Sequence, residues 1–143
     1  MPIVGPTKKL VFKGGFINNI PRIPVCFIRK DKQAYFTRGI ILDSGSNALV
    51  INKELFDFFS ENNDYNIREV KIPADTAGGK ETVYEIDDVS FVVGVKYDIV
   101  TYRKEKVYYS PKAINISLGT HPIFRDFDVT IKLKDQEIIL DPR

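Results

Sequence analysis

Asp43 is the residue whose setting holds the most chemistry. It closes the aliphatic run Ile40-Ile41-Leu42 and is followed by Ser44, Gly45 and Ser46, after which Asn47 leads into Ala48-Leu49-Val50-Ile51. Two apolar runs around a short polar segment predict a buried strand, a tight turn and a second buried strand. The turn then lies at the edge of the core and not at a free loop tip. A carboxylate in such a place needs hydrogen-bond donors, because buried charge without partners is costly. Ser44, Gly45 and Ser46 offer backbone N–H groups and hydroxyls. Gly45 lets the backbone approach closely and leaves one side of the carboxylate open. An acid held in this way is equipped to move protons. The competing reading is structural, an Asx turn in which the Asp43 side chain folds onto nearby N–H groups. The aliphatic runs on both sides weigh against it.

Strands must position that turn. Short apolar runs bounded by Gly, Pro, Asn or Asp occur at Leu10-Val11-Phe12, at 23–28 and at Gly39-Ile40-Ile41-Leu42. Val70 and Ile72 on one side, and residues 83–86 on the other, flank Ala74-Asp75-Thr76-Ala77-Gly78-Gly79-Lys80. The small residues and the Gly-Gly pair predict a long hairpin with a mobile tip. Strands continue over 89–95 and 98–102. Residues 126–133 alternate Phe127, Val129, Ile131 and Leu133 with Asp128, Thr130 and Lys132, which is period two. A strand over 137–140 closes the sequence. One segment reads as helix: Asn52 is placed to cap it, and Leu55, Phe56, Phe58 and Phe59 share a broad face. Glu61-Asn62-Asn63-Asp64 ends it. A second short helix is expected from Pro122, since proline suits a first turn.

Composition bounds what this scaffold can do. The 143 residues are 43% hydrophobic and 28% charged, which suits one globular domain over 1–143 and not a disordered or collagen-like chain. With 21 Lys+Arg against 19 Asp+Glu the net charge is +2, too near balance to call for nucleic acid or an acidic membrane as partner. One cysteine, Cys26, and one histidine, His121, cannot build a zinc cluster, and no other metal or cofactor is expected. The first residues lack a signal-peptide core, and no run of 18 apolar residues occurs, so a soluble, cytoplasmic protein is the expectation.

The run Leu42-Asp43-Ser44-Gly45-Ser46-Asn47-Ala48-Leu49-Val50-Ile51 resembles the active-site signature of aspartic proteases, in which aliphatics precede Asp-(Ser/Thr)-Gly-(Ser/Ala) and follow it. The family's downstream hydrophobic-hydrophobic-Gly element has its candidate in Ile116-Ser117-Leu118-Gly119, with Pro122-Ile123-Phe124 as helix and 127–131 as the next strand. Between them a hairpin occupies the place of the family's flap. These features come in the family's order and span roughly residues 20 to 140. Two-lobed members carry two signatures on a longer chain. This chain has one, so it resembles the retropepsin-like proteases, whose homodimers use one catalytic aspartate per subunit. It departs from that pattern where Thr120-His121 stands in place of the usual Arg and Asp or Asn, and where Ser117 replaces an aliphatic.

The resemblance implies an all-β, retropepsin-like barrel with a flap hairpin and one or two short helices. It implies an aspartic endopeptidase acting on extended polypeptides, with Asp43 as catalytic residue, Ser44, Gly45 and Ser46 supporting its turn, and Thr76, Ala77, Gly78 and Gly79 covering the substrate. A catalytically silent domain of the same fold, serving peptide binding or dimerisation, is the alternative. The interface would be built by the terminal strand at 8–12 or by that at 137–140. Other residues invite weaker readings. His121 lacks the partners of a Ser-His-Asp triad. Cys26, inside an apolar strand, reads as a buried inert thiol. Gly78-Gly79-Lys80 is no phosphate-binding loop. Tyr102-Arg103-Lys104-Glu105-Lys106 reads as a solvated loop, and Asp87-Asp88 as a turn between strands.

Overall fold

The computed structural model of the protein describes residues 8–14, 16–42, 48–73, 79–96, 98–113, 115–118 and 120–143, without the side chains of Thr120 and His121. Among these residues, ten strands and one α-helix follow one another as β1 (Leu10–Lys13), β2 (Arg22–Ile28), β3 (Ala34–Leu42), β4 (Val50–Ile51), α1 (Lys53–Ser60), β5 (Ile67–Pro73), β6 (Lys80–Val95), β7 (Asp98–Tyr109), β8 (Ser117–Leu118), β9 (Phe127–Lys132) and β10 (Glu137–Pro142). A π-helical turn, Thr120–Phe124, links β8 to β9. It begins two residues before Pro122, where the sequence predicts the helix start.

The larger sheet runs β2-β3-β8-β4-β7-β6-β5, and β2 also pairs with β6, so the strands from β2 to β6 close on themselves and β5 is appended outside. Antiparallel pairing dominates. The exceptions are β3 with β8 and β4 with β7, which run parallel. β5 and β6 form the predicted hairpin, in register from Ile67↔Ile86 to Pro73↔Lys80. The smaller sheet, β1-β10-β9, joins the two terminal strands that the sequence leaves as alternatives for an interface. They are neighbours: β10 is bonded on both sides, while the outer edge of β1 has no partner strand among the described residues.

Three local expectations are corrected. Residues 102–106 are not a loop but the middle of β7, with Tyr102 and Val107 buried and the cations Arg103, Lys104 and Lys106 exposed. Asp87 and Asp88 do not end a strand either. They sit inside the 16-residue β6, where the register with β7 shifts between Ile86 and Val89 and Asp88 takes φ 61. This is a β-bulge, which bends a long strand around a barrel without terminating it. Cys26 is half-buried, since its side chain alternates away from Val25 and Phe27, and partial burial pushes its thiol pKa up.

One core serves both sheets. Leu10, Ile138 and Leu140 of the small sheet pack in the same cluster as Phe27, Phe91, Ile86 and Val107 of the large one. Helix α1 closes the barrel on one side. The Asn52 side chain accepts a hydrogen bond from Leu55 N at 3.1 Å, which is the predicted cap, and Leu55 and Phe59 are fully buried beneath it. Arg29, only 6% exposed, ties the helix end to β2: it donates to the Asp31 carboxylate at 2.8 and 2.9 Å, to Glu61 at 2.7 Å and to Phe58 O at 2.7 Å.

Two predictions arise from this frame. Gly94, in β6 beside the turn into β7, has φ 113, and a Cβ there would lie 2.0 Å from Asp98 O. Gly94→Ala must therefore displace backbone, and a loss on the order of 2–3 kcal/mol is expected in urea denaturation. The second concerns pH. Arg29 holds the Asp31 carboxyl below its ordinary value, and Arg68 does the same for Glu85 and Asp87. A carboxyl whose folded pKa is depressed contributes stability above its unfolded pKa and loses it as pH falls through the folded one. The thermal midpoint should thus fall as pH drops below about 4, and less steeply in Arg68→Ala, whose acids have already lost their nearest cation. A midpoint that rises on acidification would contradict this reading of the ion pairs.

Candidate functional site

The motif Asp43-Ser44-Gly45-Ser46-Asn47 lies outside the described residues, but both its flanks are fixed. On one side β3 ends at Leu42. Its last two residues pair with β8, Ile41↔Ser117 and Leu42↔Leu118, and Ile41 N donates to Ile116 O at 2.9 Å. On the other side the chain resumes at Ala48, and Val50 pairs with Ser117 on one edge and Tyr108 on the other. Short β8 therefore lies between the strand that enters the motif and the strand that leaves it. Ser117, an oddity in the sequence pattern, is the residue in register with both. Ile40, Leu42, Leu49 and Ile51 are buried, so the predicted pattern of core strands around a polar segment holds on either side of it.

Beside the exit strand lies an open groove of about 630 Å³. Ala48 and Val50 form one edge, and the β5–β6 hairpin forms the opposite wall through Val70, Ile72 and Val83. Tyr108, in register with both Val50 and Glu85, lies between them, and Ser110, Lys112 and Ala113 complete the lining. The hairpin contributes alternate residues because a strand presents every second side chain to one face. Glu81, Val83 and Glu85 look into the groove, while Tyr84 turns to the other face and packs with Phe56 of α1 and with Tyr109. The wall between groove and helix is thus one sheet thick. Its far end carries charge: Arg68 donates to Glu85 and to Asp87 at 2.6 Å each, and this guanidinium holds the Glu85 carboxyl below the usual carboxylate range.

Of the residues predicted to cover a substrate, Gly79 is described and is exposed just before β6, whereas Thr76, Ala77 and Gly78 lie outside the described residues. The described residues of the β5–β6 hairpin line the groove through Val70, Ile72, Glu81, Val83 and Glu85. Sequence reasoning missed the groove wall itself. Alternation over Val70 and Ile72, and over Glu81, Val83 and Glu85, could have shown a face shared by apolar and acidic residues. No comparable signal marks Tyr108 of β7 or Lys112 in the turn after it.

A second hollow of about 340 Å³ opens elsewhere, between Lys30, Tyr65, Asp88 and Arg103 among others. It shares no residue with the groove.

No protein-family model and no curated protein sequence matches the chain. Among solved structures it is similar to a retropepsin-like aspartic protease from Rickettsia conorii, with 13% sequence identity over 93% of this chain and 89% of that one and a TM-score of 0.60. The likeness is one of fold. The chain has an all-β architecture consistent with the retropepsin-like fold, and none of its described helices is long and apolar enough to cross a membrane.

Proposed function

We propose that the protein is an aspartic endopeptidase of retropepsin type. In this reading it acts as a homodimer in which two copies of Asp43 form one catalytic dyad. The observation that carries it is the placement of an apolar groove between the exit strand of the Asp-Ser-Gly-Ser motif and the wall of a long hairpin. A peptide is cleaved at a carboxylate only if its backbone can lie alongside, and this groove offers such a bed.

The chemistry requires the second copy. Water must lose a proton as it attacks the carbonyl, and the amide must gain one as its C–N bond breaks. One carboxylate does not serve both needs at once. Two carboxyls about 3 Å apart cannot both ionise, so they share a proton, one acting as general base and the other as general acid. The pair titrates as a unit. A two-fold axis supplies both members from one sequence. The edge of β1, unpaired among the described residues, and the exposed Val11 on that strand favour the small sheet as the meeting surface. Ser44, Gly45 and Ser46 would support the turn. Closure of the hairpin tip, Thr76 to Gly79, would exclude water from an extended chain. The single half-buried thiol suits a reducing, cytoplasmic setting.

The test is incubation with an unfolded protein, with and without a statine-type inhibitor, followed by mass mapping of the cuts. Inhibitor-sensitive cleavage is expected. An intact substrate under conditions where the protein is dimeric would leave a binding domain of the same fold.

A further inference from the structure

The groove holds two carboxylates of unequal standing. We infer that Glu81 makes it selective for an extended peptide carrying a lysine or arginine side chain, with the protein's own Lys112 occupying that position when no peptide is bound. This inference rests on the reading of the groove as the peptide bed.

Glu81 and Glu85 lie on the same face of β6 with Val83 between them. Glu85 is neutralised within the sheet. Arg68 of β5, its register partner, lies 2.6 Å away and Lys106 of β7 lies 3.7 Å away. Both cations sit on strands, so the compensation is fixed by the fold. Glu81 differs. Its register partner is the apolar Ile72, and the ion pair it makes is with Lys112 Nζ at 3.5 Å. The Glu81 side chain is 28% exposed, whereas that of Lys112 is 77% exposed and is borne by the turn after β7. An ion pair with so exposed a lysine gains little, because water screens it and the long side chain loses freedom in making it. Lys112 is therefore easily displaced.

A peptide side chain entering beside Ile72 and Val83 meets different conditions. Its methylene stem would lie on the two apolar residues while its charge reached the Glu81 carboxylate, the division of labour for which lysine and arginine are built. The peptide backbone above would shield the pair from water and strengthen it. A neutral side chain of similar length would cover the apolar floor but leave Glu81 less solvated, with only the exposed Lys112 as its partner, which costs binding. An acidic side chain could reach Lys112 only by approaching Glu81 and Glu85. Charge complementarity thus selects a cation.

The experiment compares cleavage of matched peptide sets in which each position around the cut carries lysine, norleucine or glutamate in turn. Wild-type protein should favour lysine over norleucine at one position by about tenfold in kcat/KM. Glu81→Lys should reverse that order towards glutamate at the same position, and Lys112→Ala should widen the lysine preference. Glu81→Gln, a smaller change, should bring lysine and norleucine level if the charge reversal disturbs folding. Binding of labelled peptides to the Asp43→Asn protein, followed by anisotropy, reports the same preference without turnover. Cleavage with no lysine preference, or a preference moved by Glu85→Lys and not by Glu81→Lys, overturns the inference and leaves the proposed peptidase standing. Peptides neither bound nor cut by a folded dimer overturn both.

Discussion

Asp43→Asn should lower peptide cleavage by about 10³-fold or more while leaving the fold and its thermal midpoint nearly unchanged, since asparagine keeps the shape of the side chain and removes the base. The size follows from the chemistry proposed for the dyad. In a homodimer one substitution removes both carboxylates together, so neither general base nor general acid remains. The same variant tests the dyad in a second way. Two aspartates meeting across a two-fold repel once both ionise, so dimerisation of the wild-type protein must be linked to retention of one proton. Activity and dimer affinity should fall together as pH rises past the upper dyad pKa. An asparagine pair carries no charge at any pH, so the dimer of the variant should hold over that range. Sedimentation at several pH values separates the cases. If the wild-type dimer is indifferent to pH, or cleavage of an unfolded protein survives the substitution, the carboxylates do not meet and the dyad is the wrong chemistry.

The parts of this arrangement legible in the sequence were those written as one-dimensional pattern. The aliphatic runs around Asp43 became the buried Ile40, Leu42, Leu49 and Ile51, because a core strand needs no information beyond its own side chains. Asn52 followed by Leu55 and Phe59 specified a capped amphipathic helix for the same reason. The misreadings arose where tertiary structure altered the meaning of charge. Arg103, Lys104 and Lys106 look like a solvated loop until Tyr102 and Val107 are seen to anchor the strand inward, leaving the cations on its outer face. Asp87 and Asp88 look like a turn because paired acids disfavour strands. Here Arg68, 19 residues earlier in sequence but beside Asp87 in space, neutralises one of them, and the bulge accommodates the other. The groove was illegible for a further reason. It spreads over β4, β7, β6 and β5 where they lie side by side, which brings Val50 next to Tyr108 by a pairing remote in sequence, and no local pattern records that Lys112 lies near Glu81.

Removing the Phe59 ring should be the most damaging single change to the scaffold. Phe59→Ala is expected to cost about 3–5 kcal/mol, a large share of the 5–15 kcal/mol by which a domain of this kind is typically stable. Phe59 is fully buried, with its ring 6.0 Å from that of Phe27 in β2 and 5.1 Å from that of Tyr65, both edge-to-face. A helix of eight residues is not stable alone in water, so α1 exists because Phe59 and Leu55 hold it against the barrel. The Asn52 cap adds about 1 kcal/mol and cannot replace that anchor. The damage should reach the groove. Strand β4 runs through Asn52 directly into α1, and the helix supports the back of the hairpin wall where Phe56 stacks on Tyr109 at 4.2 Å. Phe59→Ala should therefore shift the urea midpoint strongly with little change in slope, and reduce peptide binding per folded molecule as well. Phe56→Ala, at a half-buried position, should spare more of the stability while still weakening binding, because its ring backs the wall without filling the core. Equal stability losses from the two variants would mean that the helix is held by its whole apolar face and not by one ring.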